Sequence, residues 1–136
     1  MENRVRLISF KSNTNENGSL IAIENNRDIP FEIKRIFYIY GAREGTIRGK
    51  HANKNSKMVI IAINGSCTIK TYYQNKEEIF RLNSKDQGLF TDRMVWKEMY
   101  DFSNDCVLLI LTDSFYDPYE YITDFDYFKR LEISLI

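Results

Sequence analysis

The chain has 136 residues, with 19 basic and 19 acidic side chains and a formal net charge of +0 at pH 7. A chain of this length fits one compact domain with one core, so we expect a single domain over residues 1–136. The balanced charge gives no net field that would attract nucleic acid or an anionic membrane. No apolar run approaches the roughly 18 residues that a membrane span needs.

Short β-branched and aromatic stretches, separated by polar turns, predict about nine strands and an all-β fold. In chain order these are Val5–Phe10, Leu20–Ile23, Lys34–Tyr40, Met58–Ile63, Ser66–Tyr73, Glu77–Leu82, Gly88–Phe90, Met94–Met99 and Cys106–Leu111. The pair Asn17-Gly18 predicts an early turn. The pair Asn64-Gly65 predicts a two-residue hairpin that joins the strands on either side of it.

Two of the predicted strands have informative patterns. Alternation in Ser66–Tyr73 places Cys67 and Ile69 on a buried face. The apolar run Val107–Leu111 predicts either a central strand covered on both faces or a strand at a subunit contact. Both cysteines, Cys67 and Cys106, lie in strand-like segments, so buried free thiols are the favoured interpretation and a disulfide is the alternative. No stretch near the amino terminus resembles a signal peptide, and we expect a cytoplasmic protein.

The end of the chain changes character after Asp117-Pro118. Aromatic and aliphatic residues recur at roughly helical spacing from Tyr119 to Leu131, among charged side chains. This pattern predicts a short amphipathic helix that packs on the sheet.

His51 is the one histidine of the chain, and it lies among the cations Arg48, Lys50 and Lys54. An imidazole titrates near neutral pH, so His51 is the leading candidate for proton transfer, and a solvated surface histidine is the alternative. The strand pattern invites comparison with cupins, small double-sheet barrels that often hold a metal. An open transition-metal site generally takes three protein ligands, and Asn53 stands where a metal cupin has a second histidine. The ligand count therefore disfavours a metal.

The chain resembles a known group nearly end to end, the WxcM-like cupins that act as dTDP-4-keto-6-deoxyglucose 3,4-ketoisomerases. The resembling segments are residues 17–20, Ile29 to Arg35, Arg48 to Lys54, Asn64 to Cys67, Gly88-Leu89, Trp96 to Phe102, Phe115 to Asp117 and Glu120 to Ile122. The resemblance implies a cupin-type jelly-roll β-barrel with a short C-terminal helix. It also implies a metal-free isomerisation without a cofactor, on the route to 3-amino-3,6-dideoxy sugars of surface polysaccharide.

The same resemblance suggests roles for single residues. His51 matches a motif histidine and is the expected base, and Arg48 matches a motif arginine suited to a diphosphate oxygen or the sugar carbonyl. Arg35 lies in a segment that matches a family strand lining the substrate pocket, and it is an expected substrate ligand. Tyr38 is an expected catalytic hydroxyl. Strict alternation would separate His51 from Arg48, so either the strand begins only near His51 or Arg48 serves another wall of the pocket.

Two departures from the family pattern affect the chemistry. Asn53 and Lys97 stand where most family members have histidines; Asn53 is an expected substrate ligand, and Lys97 is an expected proton donor or enediolate partner if burial lowers its pKa. A Lys97 that faces water is the alternative. Phe37 further removes a tyrosine hydroxyl that family members commonly carry.

These departures leave three functional hypotheses. The first is a ketoisomerase in which His51 moves the proton between carbon 3 and carbon 4. The second is a nucleotide-sugar-binding module that has lost catalysis, and the third is an isomerase or epimerase for another nucleotide sugar. The resemblance also implies a homodimer with exchanged amino-terminal strands, with Val5–Phe10 as the strand and Lys11–Glu16 as the crossing linker.

Overall fold

A computed structural model describes residues 3–134, so the four terminal positions of the expected domain lie outside the described residues. The strands are β1 (Val5–Ser9), β2 (Ser12–Asn15), β3 (Gly18–Ile21), β4 (Arg35–Tyr40), β5 (Arg48–Asn53), β6 (Met58–Asn64), β7 (Cys67–Tyr73), β8 (Lys76–Leu82), β9 (Gln87–Thr91), β10 (Trp96–Tyr100), β11 (Val107–Thr112) and β12 (Tyr121–Ile122). A 3-10 helix spans Pro118–Glu120, and α1 spans Phe125–Ser134.

Two five-stranded antiparallel sheets face each other. Sheet one has the order β1-β9-β6-β11-β4, sheet two has the order β12-β5-β10-β7-β8, and β2 pairs with β3 in a separate hairpin. Alternation along β6 turns Met58 and Ile60 toward the space between the sheets and Val59 and Ile61 toward the outside of sheet one. The expected all-β, cupin-type fold with a short C-terminal helix is confirmed. Strand β11 lies inside sheet one between β6 and β4, and its side chains are buried or partly buried.

Each sheet also buries part of its outer face. Phe10, Ile29 and Phe31 cover the outside of sheet one. Helix α1 covers the outside of sheet two by placing Phe128 against Trp96 and Tyr72. The predicted helix therefore exists and packs on a sheet, but it begins later than expected, because Pro118–Glu120 form a 3-10 turn and β12 follows.

The predicted hairpin at Asn64-Gly65 is wrong. Strand β6 belongs to sheet one and β7 belongs to sheet two, so the turn carries the chain from one sheet to the other. Gly65 has a φ of 65°, and a side chain there would meet Ser103, Asp105 and Cys106. Turn residues indicate that the chain changes direction, but they do not indicate whether the next strand pairs with the previous one.

Three strands were not predicted, namely β2, β5 and β12. Strand β5 is polar, and its backbone pairs with β10 on one side and β12 on the other. Strand β2 lies in the segment expected to be a crossing linker. It pairs instead with β3, while β1 pairs with β9 of the same chain.

The two cysteines are buried free thiols, as expected. Burial, with a smaller contribution from the neighbouring Cys106, raises the pKa of Cys67 to about 12, so the thiol stays protonated at neutral pH. Within residues 3–134 no helix is long and apolar enough to span a membrane.

We predict that Gly65→Ala lowers the free energy of unfolding by about 2–4 kcal/mol, because it adds a steric clash with the backbone of Cys106 to the cost of a left-handed conformation. The control is Gly45→Ala, which has a φ of 81° but open space around its Cβ. It should cost only about 1–2 kcal/mol. Urea unfolding measures both variants, and equal losses would contradict the close packing at Gly65.

Candidate active site

A cavity of about 200 Å³ opens between the two sheets beside His51. One wall comes from sheet one and is apolar, with Phe37, Ile39, Met58, Ile60 and Ile110. The other wall comes from sheet two and carries the reactive groups Arg48, His51, Lys97 and Tyr121, together with Gly49 and Met99. A larger groove of about 600 Å³ lies on the outer face of sheet one, on the opposite side of that sheet from His51.

A β-bulge brings Arg48 and His51 to the same cavity. His51 pairs with Lys97, but Gly49 pairs with Glu98, so Lys50 is an extra residue in β5. Gly49 and Lys50 have φ values of 83° and 53°. The extra residue shifts the alternation by one, so two side chains three apart face the same side. Neither sequence-based explanation of Arg48 was correct, since the strand begins at Arg48 and both residues line one cavity.

His51 sits in an environment that favours its neutral form. Burial lowers the pKa of His51 below its ordinary value, and the ammonium of Lys97 lowers it further. Hydrogen bonds to the Gly49 carbonyl and the Asn53 side chain, and the charge of Glu120, oppose this shift without reversing it. A neutral imidazole at neutral pH is able to accept a proton, as a general base requires.

Lys97 is buried, and its side chain does not face water. Its Nζ donates to the carbonyl of Val95 at 3.2 Å and to Oδ1 of Asn53 at 3.4 Å. Burial lowers the pKa of Lys97 to about 8, while Glu120 acts in the opposite direction. The ammonium is therefore the major form at neutral pH, yet it loses its proton more readily than an exposed lysine.

Asn53 is fully buried next to Lys97. Its Oδ1 accepts from Lys97, but its Nδ2 has no hydrogen-bond partner among the described residues. A buried donor without a partner is costly in a folded protein and often marks the position of a ligand atom. Asn53 does not line the cavity beside His51, and its side chain forms hydrogen bonds with both Lys97 and His51.

Strand β4 places Arg35 and Tyr38 on opposite faces, as strict alternation predicts. Arg35 is half-buried and packs its guanidinium over the rings of Phe37 and Tyr116, at 4.8 and 5.4 Å. Tyr38 lies on the opposite face and is 63% exposed. Because side chains alternate along the strand, Phe37 faces the cavity and Tyr38 points away from it. The structure therefore corrects the expectation that the Tyr38 hydroxyl lies beside His51.

Sequence reasoning gave no role to Tyr121 and Glu120. The ring of Tyr121 meets His51 edge-on, with 4.9 Å between the ring centroids. Glu120 is buried, and its carboxylate accepts hydrogen bonds from Asn55 and Ser56. Both residues lie in a segment that resembles the family, but a glutamate and a tyrosine within the predicted helix carried no signal of burial.

The described residues include no group of three histidine, cysteine or acidic side chains that could hold a metal ion. The polar groups that face the cavity are instead two cationic side chains, one imidazole and one phenol. Such a set suits an anionic substrate and the stabilisation of negative charge on oxygen. Together with the fold, it defines a cupin-type protein with a proton-transfer site.

Comparison with known proteins agrees with this description. The model of the FdtA family, described as WxcM-like, C-terminal, matches residues 3–132. The chain is 42% identical over 130 residues to the TDP-4-oxo-6-deoxy-alpha-D-glucose-3,4-oxoisomerase of Aneurinibacillus thermoaerophilus, covering 96% of this chain and 92% of the relative. The protein therefore belongs to the FdtA family of WxcM-like proteins.

Solved structures show the same likeness. The H51N mutant of the 3,4-ketoisomerase QdtA from Thermoanaerobacterium thermosaccharolyticum, in complex with TDP-4-keto-6-deoxyglucose, has a TM-score of 0.94 at 37% identity, covering 98% of this chain and 97% of that chain. WlaRA, a TDP-fucose-3,4-ketoisomerase from Campylobacter jejuni, has a TM-score of 0.90 at 44% identity, covering 96% of each chain.

We predict that Lys97→Met raises the pKa of His51, because the substitution removes a cation that disfavours the imidazolium. NMR titration of the His51 ring measures this pKa in tag-free protein, where this histidine is the one in the chain. The control Lys54→Met removes an exposed cation and should shift the pKa much less. An unchanged pKa in Lys97→Met would contradict the electrostatic contact.

Proposed function

We propose that this protein is a TDP-sugar 3,4-ketoisomerase that converts TDP-4-keto-6-deoxyglucose to a TDP-3-keto-6-deoxyhexose. The observation that carries the proposal is the pairing of His51 with Lys97 across β5 and β10, with both side chains at one cavity. A base and a readily deprotonated ammonium are the two groups that movement of a carbonyl between neighbouring carbons needs. The family and the near full-length similarity to 3,4-ketoisomerases support the same reaction.

The proton transfers balance with these two groups alone. His51 takes the proton from carbon 3 while Lys97 gives a proton to the oxygen on carbon 4, which produces an enediol. Lys97 then takes the proton from the oxygen on carbon 3 as the protonated His51 gives a proton to carbon 4. Both residues end in their starting states, so the cycle consumes no co-reactant. The lowered pKa values of both groups suit these roles at neutral pH.

The arginines suit the anionic part of the substrate. Arg48 lines the cavity beside His51, and Arg35 lies over the Phe37 and Tyr116 rings. A guanidinium presents a planar set of donors to phosphate oxygens, so the two are proposed as diphosphate ligands. Asn53 is proposed to orient the Lys97 ammonium through its Oδ1.

A homodimer is proposed for the assembly, with the β2–β3 hairpin as the exchanged element. Every residue of β2 is exposed, as are Gly18, Ser19 and Leu20 of β3. A lone two-stranded hairpin is marginally stable in water, so a second copy is the expected cover. The apolar groove on the outer face of sheet one, which includes Ile61, Ile63 and Leu109, gives such a hairpin a surface to contact. The cytoplasm is the proposed location, since two reduced buried thiols suit a reducing compartment.

Incubation with TDP-4-keto-6-deoxyglucose in deuterated water tests the reaction. We expect deuterium at carbon 4 and a 3-keto product, because His51 exchanges its proton with solvent between the two transfers. His51→Asn should bind TDP as tightly as the native protein but lower the exchange rate by about 10²- to 10⁴-fold. If the native protein binds TDP without exchange or product, it is a binding module. Turnover of only a different nucleotide sugar would support the third hypothesis.

Sedimentation tests the dimer. We predict that Leu20→Glu on the hairpin shifts the protein toward monomer, because it places a charge in an apolar contact. Ile79→Glu on β8 is the matched control, since both native side chains are 61% exposed. The control should sediment like the native protein. A monomeric native protein contradicts the assembly, and so does an unchanged dimer in Leu20→Glu.

A further inference from the structure

Glu120 is a buried acid to which the proposed proton transfers assign no step. It is the last residue of the 3-10 helix and is 3% exposed. Its Oε1 accepts from the backbone N–H groups of Asn55 and Ser56 at 3.1 and 2.6 Å, and its Oε2 accepts from Oγ of Ser56 at 2.6 Å. Three hydrogen-bond donors therefore hold this carboxylate in place.

These contacts join the two segments that frame His51. Asn55 and Ser56 belong to the turn that follows β5, and the backbone N–H of Lys54 donates to the carbonyl of Glu120. The next residue, Tyr121, begins β12, pairs with Asn53 and meets the His51 ring. The position of Tyr121 against His51 is thus fixed on one side by strand pairing and on the other by the Glu120 carboxylate.

The carboxylate of Glu120 lies at the turn that follows Asn53, and Oδ1 of Asn53 accepts from Nζ of Lys97. Sheet two brings Arg48 and His51 on β5 and Lys97 on β10 to the cavity, and Arg35 lies on β4. Sheet one faces Lys97 with apolar groups such as Phe37, Met58 and Ile110. Glu120 raises the pKa of both Lys97 and His51, against the larger effect of burial.

We propose that Glu120 is a positioning residue for the proton-transfer pair. It holds Tyr121 against His51 through the turn after β5, and it places a negative charge at the turn that follows Asn53, the residue that accepts from the Lys97 ammonium. It acts through these neighbours and does not touch the substrate. The assignment rests on the proposed function for its effect on turnover. Its effects on His51 and Tyr121 are measurable without turnover.

Two substitutions separate the geometric contribution from the charge. Glu120→Gln keeps the length of the side chain, and its amide is able to accept from the two N–H groups and donate to Ser56. Glu120→Asp keeps the charge but shortens the reach. We expect Glu120→Gln to lower the pKa of His51 while preserving the ring-current shift that Tyr121 imposes on the His51 ring protons. We expect Glu120→Asp to change that ring-current shift and to retain more of the native His51 pKa.

Turnover gives a second measurement. Glu120→Gln should lower kcat several-fold at about pH 8.5, because loss of this acid lowers the Lys97 pKa and so removes part of the ammonium. The loss should shrink near pH 6.5, where Lys97 stays protonated, and KM should change less than kcat. Glu98→Gln is the control. It removes an acid that lies on β10, as Lys97 does, but that pairs with Lys70 outside the cavity.

The outcomes are distinct. A His51 pKa and a pH dependence of kcat that match those of the Glu98→Gln control would overturn the proposal. Failure of both Glu120 variants to fold would make Glu120 a folding determinant and would also overturn it. If the native protein shows no turnover but the His51 titration changes as expected, the proposed function fails while the positioning by Glu120 stands.

Discussion

The pairing of β5 with β10, and the one extra residue within it, is the constraint on which the site depends. The pairing sets His51 directly across from Lys97. The bulge at Gly49 and Lys50 then turns Arg48 to the same side as His51. A regular strand would have sent Arg48 to the opposite face and separated the anion-binding group from the base. The positive φ of Gly49, and the 2.9 Å approach that a Cβ there would make to the Lys97 carbonyl, explain the glycine.

Burial of polar groups between the sheets costs free energy, and the same burial sets the pKa values in the site. Lys97 and Asn53 are both almost fully buried, and burial is the main cause of the lowered pKa values of Lys97 and His51. The same low-dielectric surroundings that destabilise these charges strengthen their interaction with a developing enolate. Glu120 limits the cost by holding a negative charge nearby, with three hydrogen bonds of its own. The cavity therefore holds a neutral base, His51, and a cation, Lys97, that loses its proton readily.

The sequence predicted most strands because their apolar residues alternate, and it predicted α1 because its aromatic residues recur at helical spacing. It failed at β5 for a physical reason: Arg48–Asn53 is polar, and it is a strand because it bonds to neighbours on both sides. It also failed at Asn64-Gly65, where the turn was recognised but the sheet change was not. The site was predicted best where chemistry is local, as at His51, and least where burial decides, as at Glu120 and Tyr121.

By itself the sequence determined the fold class, the single imidazole and the absence of a histidine at positions 53 and 97, because composition and periodicity are properties of the chain. Only the tertiary structure decided that Lys97 is buried and not exposed to water, and that Phe37 and not Tyr38 faces the cavity. It also decided that Arg48 lines the same cavity as His51. Each of these depends on which strands pair with each other and on where a β-bulge adds a residue to one of them. Neither property is encoded in the spacing of residues along one strand.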